Sequence, residues 1–391
     1  MNSFEFWSPT KVIFGEDTVN KIGNEVKNFG GRRALIIYGG GSVVESGLLD
    51  NVKASLDAAD VEYFCVGGVQ PNPLVEFAQE IADGHSDKDI DFLIGIGGGS
   101  AIDTAKVVAH GIANPNVQIW DIVTSKVPLT KSLPIGVVLT IAAAGSETSN
   151  SSVVTNAQSG IKRGFGTQFN RPKFAIMDPV LTYTTPVRHT ISGVVDIMMH
   201  TLDRYFAPDN DNSLTDAIAE ALLRVVIENG KLVVDDPKSY KARSELFWAG
   251  SLSHNGLTGL GQTPDMAVHQ LGHALSAKYD IPHGESLSIA WPAWAKYVYK
   301  TDIGRFAQYA RNVWNVTESD YETAAKMGID ATVNYFKSIG APVKLTELVE
   351  NVTDDDFNEL TYICTYHKTR TIGTFKLLDA NDILSTYKMM R

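Results

Sequence analysis

Apolar and polar positions along the 391-residue chain change rhythm near its middle. In the first half, short apolar runs recur at residues 34–38, 63–66, 92–96, 135–140 and 174–177. Such apolar, β-rich runs predict strands, and the one at residues 92–96 suits a buried parallel strand. Stretches with helical spacing lie between them, including residues 75–82 and 102–110. That alternation predicts a parallel sheet covered by helices. From about Pro186 onward the strand signals stop. Helical periodicity takes over at residues 216–228, 242–253, 266–278, 303–313 and 321–339. We therefore expect an α/β domain over residues 1–183 and an all-helical domain over residues 184–391, with no Gly/Ser linker between them.

Two of the predicted strands run into glycine-rich turns. Residues 92–96 lead into Gly97, Gly98 and Gly99, and Ser100 then opens a helix whose first turn holds Asp103. Glycines let a ligand approach the backbone closely, and a helix N-terminus offers unpaired N–H groups to phosphate. The turn is not the G-x-G-x-x-G of dinucleotide folds, since Ser100 takes the place of its third glycine. It also lacks the G-K-S/T of a P-loop. Taken alone, it is equally a plain tight turn. The strand at residues 34–38 ends similarly in Gly39, Gly40, Gly41 and Ser42.

The second half carries the candidate chemistry. Asp196 and His200 stand four residues apart, as do His269 and His273, and His283 follows. Positions i and i+4 share a helix face, so each pair can aim two side chains at one point. Asp196, His200, His269 and His283 together would supply one carboxylate and three imidazoles, a donor set for a divalent first-row metal. His273 is left one helical turn from a ligand, placed for proton transfer. A lone buried His is more often a satisfied core residue. Here, however, five candidates converge on two short segments, and the surroundings of His269 and His273 are small and apolar, so burying both rings needs partners.

Composition narrows the field without naming a function. The chain is long for one typical core, and 44% hydrophobic with 20% charged residues is ordinary for a soluble globular protein. A net charge of −11 works against nucleic acid or an anionic membrane as partner. Two distant cysteines, Cys65 and Cys364, make no disulfide framework and fit a reducing compartment. The opening MNSFEFWSPTK lacks the apolar stretch of a secretory leader. The expectation is a cytoplasmic protein.

These motifs resemble the iron-containing alcohol dehydrogenase family along the whole chain. The match runs through SPTKVIFGED, GGGSAIDTAK, AAAGSET, FAIMDP, DIMMH and HQLGHALSAKYDIPHGES, and is nearest to the NADP-dependent butanol dehydrogenase and aldehyde reductase branch. The resemblance implies a nucleotide-binding α/β domain, a helical metal-binding domain with the active site in the cleft between, a homodimer, and Fe²⁺ or Zn²⁺ at the site. It also assigns cofactor contacts to Asn72, Thr140, Ser146, Lys162 and Tyr183. This chain reads Ala143-Ala144 where many members have Gly-Thr, which removes a donor from that loop. In NAD-preferring members an aspartate stands at about Gly39, where it would bond a ribose 2′-hydroxyl and repel a 2′-phosphate. No acidic residue occurs between Arg33 and Val44, so NADP(H) is the expected cofactor. The substrate would be a small alcohol or aldehyde. Two other readings compete. One is a dehydroquinate synthase-like cyclase, or another polyol dehydrogenase of that fold, which a phosphorylated substrate would mark by basic residues near the metal. The other is a non-catalytic binding protein.

Overall fold

The computed structural model describes residues 1–209 and 211–391 and divides into two compact units. One unit spans Trp7–Thr185; the other combines Met1–Phe6 with Pro186–Arg391. The first residues, expected with the α/β domain, thus pack on the helical unit. Asn2 donates its backbone N–H to Gly261 O and its side-chain amide to Asp209. Among the described residues, no helix is long and apolar enough to cross a membrane.

The α/β unit contains eight strands: β1 (Lys11–Phe14), β2 (Arg33–Tyr38), β3 (Glu62–Val66), β4 (Phe92–Gly97), β5 (Ile135–Leu139), β6 (Ser151–Asn156), β7 (Ile161–Gly166) and β8 (Phe174–Met177). Six of them form one parallel sheet in the order β1-β8-β5-β4-β2-β3. β4 and β5 are buried along their whole length, as unbroken apolar runs require. The five strands expected from the pattern are present, within a residue or so at their ends. β1 and the antiparallel β6–β7 hairpin were not expected. Both mix polar with apolar residues, so neither stands out as a buried run.

The strand order has a consequence for ligands. β2 lies between β3 and β4, so the chain leaves β2 toward one side and returns to the other. Such a reversal opens a crevice at the carboxyl ends of the two strands. Tyr38 pairs with Ile96 across β2 and β4, which sets the Gly39–Ser42 and Gly97–Ser100 turns side by side at that point.

In the helical unit, Val187–Tyr205, Ala267–Tyr279 and His283–Val298 are the helices that matter for chemistry. Around them, a cluster of Phe206, Trp294, Phe306 and Phe375 packs ring on ring, Phe206 and Phe306 stacking at 4.3 Å. The fully buried Arg305 is matched by Asp216 and by the Tyr205 carbonyl, so its charge is not left unpaired.

Candidate metal centre and nucleotide turns

Asp196 and His200 project from one turn of helix Val187–Tyr205, as their spacing predicted, and both are buried. The helix Ala267–Tyr279 brings His269 alongside, and helix His283–Val298 begins with His283 itself. Three imidazole Nε2 atoms converge on the same carboxylate oxygen. His200, His269 and His283 lie 3.4, 3.7 and 3.7 Å from Asp196 Oδ1. Asp196, His200 and His269 form the tighter set, their ligand atoms all within 4.8 Å of one another. His283 closes the set from the more open side, with its side chain 25% exposed. His273 stands next to the cluster, its ring centroid 5.3 Å from that of His283 and 6.4 Å from that of His269.

The donor set fits a divalent cation. Asp196 Oδ1 and His269 Nε2 are buried and have no hydrogen-bond partner, a costly state that a cation at their meeting point would relieve. Burial pushes the His200 ring well below its ordinary pKa, which leaves a neutral imidazole with a lone pair to give. Burial also opposes protonation of His269, but Asp196 and Asp203 outweigh it and hold the ring above its ordinary value. Two buried carboxylates thus draw positive charge to this spot.

Asp203 escaped the sequence reading. Its carboxylate accepts from His269 Nδ1 at 2.6 Å and from the His269 backbone N–H at 3.2 Å. Ligating histidines are commonly fixed by such a second bond, which leaves Nε2 for the metal. The only available signal was its place on the same helix face, three residues after His200. Asp265 escaped notice too. Burial pushes it up to about 7, and it accepts backbone N–H groups from Ala267, Thr374 and Phe375. It thereby ties a C-terminal loop to the start of the helix bearing His269.

Two contacts fix where His283 sits. Gly284 donates its N–H to Ser192 Oγ at 3.0 Å, and Arg188 forms a two-pronged ion pair with the buried Glu285. At Gly284 a Cβ would lie 1.9 Å from the Ser192 carbonyl oxygen. Gly284→Ala is therefore expected to push the two helices apart, costing about 1–3 kcal/mol or more and weakening metal retention. Thermal unfolding and metal analysis check this; an unchanged melting temperature with full metal would refute the close approach.

In the α/β unit the two glycine turns adjoin, as the register requires. Gly97 has φ +144°, and a Cβ at Gly98 would meet Ile141 Cγ2 at 2.4 Å. Only glycine allows this packing of the turn on the loop that carries Thr140. Thr140 itself donates its N–H to Gly97 O. Asp103 and Ser146 are turned inward. Ser146 Oγ donates to Asp103 Oδ1, Val153 N–H to Asp103 Oδ2, and the fully buried Lys106 to Ser146 Oγ and two carbonyls. Those polar atoms brace the loops from behind. Burial lowers Lys106 to about 8. Asn72 and Lys162, distant in sequence, meet through a 2.8 Å hydrogen bond. Tyr183 is half-buried just after the short helix Pro179–Thr182.

The first turn holds a further residue the sequence reading missed. Glu45, one position beyond the stretch inspected for acids, folds back so that its Oε1 is 2.7 Å from where a Gly41 Cβ would be. Gly39 has no positive φ, and a Cβ there would meet only Val69 O at 3.7 Å.

Known proteins match the chain along nearly its whole length. Residues 9–179 match the family model described as iron-containing alcohol dehydrogenase, and residues 190–390 match that of the Fe-containing alcohol dehydrogenase family, C-terminal. The chain is 37% identical over 390 residues to NADH-dependent butanol dehydrogenase A of Clostridium acetobutylicum, covering 99% of each. It is 35% identical over 349 residues to the NADPH-dependent aldehyde reductase YqhD of Escherichia coli, covering 89% of each. A crystal structure of NADH-dependent butanol dehydrogenase A from Thermotoga maritima superposes with a TM-score of 0.96 at 34% identity, covering 100% of this chain and 99% of that one.

Proposed function

The chain belongs to the iron-containing alcohol dehydrogenase family, and from that premise we propose that it is a metal-dependent, NADP(H)-linked reductase of short- to medium-chain aldehydes. The observation that carries the proposal is the convergence of three imidazoles on one oxygen of buried Asp196. When bound, a divalent cation supplies a Lewis acid for a carbonyl oxygen, and a reduced nicotinamide supplies the hydride. Asp196, His200, His269 and His283 hold the cation; three nitrogens and one oxygen accept Fe²⁺ or Zn²⁺. Gly39–Ser42 and Gly97–Ser100 present backbone N–H groups to the dinucleotide, with Asn72, Thr140, Lys162 and Tyr183 in supporting contacts. Asp103 and Ser146 hold those loops in shape. As hydride reaches the carbonyl carbon, His273, beside the ligands but outside their set, delivers the proton that the carbonyl oxygen takes up to become the alcohol. The free thiols of Cys65 and Cys364 support a reducing, cytoplasmic setting, and the family resemblance supports a homodimer.

Glu45 favours a second reading of the cofactor. Its carboxylate over Gly41 would repel a 2′-phosphate and can accept from a 2′-hydroxyl, which favours NADH. Oxidation of NADPH and NADH by butanal, followed in parallel on protein of known metal content, tests both. Metal-free protein should be inactive and Fe²⁺ or Zn²⁺ should restore it. A metal-replete protein inert toward butanal with either cofactor would defeat the proposal.

His273→Ala is expected to keep one metal per chain and to slow turnover by roughly a hundredfold, the lower end of general-acid contributions, because water can partly replace the ring. Metal analysis beside steady-state rates checks this. Loss of the metal would make His273 a ligand.

A further inference from the structure

The two most buried histidines of the metal set are supported differently. His269 gives Nδ1 to Asp203 at 2.6 Å, the usual way to fix a ligating imidazole. His200 has no such bond: its Nδ1 is buried without a hydrogen-bond partner. Nothing intrinsic fixes the ring either, since rotation about the Cβ–Cγ bond of histidine is broad. Yet its Nε2 must stay aimed at the point where Asp196 Oδ1 lies 3.4 Å away.

Two other rings lie against it. His269, itself a ligand, is tilted at 34° with centroids 4.2 Å apart. His254, the last residue of helix Tyr240–His254, stacks at 4.0 Å and 23°. His254 stands outside the proposed ligand set and comes from a different helix, so it can act as a fixed wall. A ring drawn electron-poor by a cation also packs favourably on an aromatic face.

We infer that His254 is a positioning residue for the metal centre, holding the plane of His200 by ring stacking where a hydrogen bond would otherwise do so. This rests on the metal-centre reading above. A ring face is what the role needs, not a ring nitrogen.

The test is Co²⁺ binding to metal-stripped protein, read by the visible ligand-field band and by competition with a chelator. Wild type should take up one Co²⁺ per chain. His254→Ala should bind it ten- to a hundredfold more weakly, the usual cost of losing an outer support, with a shifted band. His254→Phe keeps a flat ring and should stay within about threefold of wild type with the wild-type band. Melting temperatures of the metal-free proteins separate this from general packing: a purely structural His254 would lower that temperature and leave the band of the cobalt-loaded protein unmoved. Wild-type affinity and band in His254→Ala would overturn the inference while leaving the metal centre standing. So would His254→Phe behaving like His254→Ala, which would assign the effect to a ring nitrogen. Failure of the wild type to bind Co²⁺ would overturn the metal centre and the inference together.

Discussion

His269→Ala should lose its bound metal and its reductase activity together while keeping its fold. The apolar residues beside it, Ala267, Val268, Leu271, Ala274 and Leu275, are buried independently of any ion, so helix Ala267–Tyr279 stays packed. Activity should fall by about three decades or more: the Lewis acid contributes several kcal/mol to the transition state, and about 1.4 kcal/mol is tenfold in rate. A moderate loss of stability should accompany it. Asp203 is 1% exposed and would keep only the 3.2 Å backbone bond of the two it now accepts from residue 269, and under-bonding a buried carboxylate costs on the order of 1–3 kcal/mol. Elemental analysis, butanal-dependent NADPH oxidation and thermal unfolding measure the three effects. Full activity in a variant without metal would mean that the ligands serve structure alone.

What could be read in advance was what helical and strand periodicity encode. The i, i+4 spacing of Asp196 and His200 is a local property, and it placed both side chains where the structure has them. Convergence of His269 and His283 on Asp196 rests on tertiary packing; it was proposed on donor chemistry, not on spacing. Asp203 shows the limit. An aspartate seven residues after a ligand is unremarkable until another helix brings His269 within 2.6 Å of it. His254 is a similar case, because a stack between two helices leaves no mark in either segment. The brace formed by Asp103, Lys106 and Ser146 spans more than forty residues, and such pairings are set by how β-strands and loops pack. The hairpin Ser151–Gly166 was missed because its strands are neither clearly buried nor clearly alternating.

Gly39→Asp should move cofactor preference from NADPH toward NADH by one to three decades in the ratio of kcat/KM values. A carboxylate at the end of β2 repels a 2′-phosphate and accepts a hydrogen bond from a 2′-hydroxyl. Together the two effects are worth about 1.5–4 kcal/mol on this turn, and about 1.4 kcal/mol is tenfold. Backbone strain does not intervene. Gly39 is outside the left-handed region, and the new Cβ would make only ordinary contact with Val69 O at 3.7 Å. Glu45 sets the starting point of the experiment. Its exposed carboxylate already stands over Gly41, so Glu45→Gln should raise kcat/KM for NADPH several-fold and leave NADH nearly unchanged, an effect kept modest by solvent screening. The two substitutions therefore push the ratio in opposite directions from one surface of the same turn. Steady-state rates with both cofactors at fixed butanal, at low and high salt, measure it. An unmoved ratio in well-folded Gly39→Asp would place the 2′ position elsewhere and remove the main support for NADP(H). A ratio that Glu45→Gln shifts more than tenfold would show that this carboxylate, rather than the glycines, governs the choice of cofactor.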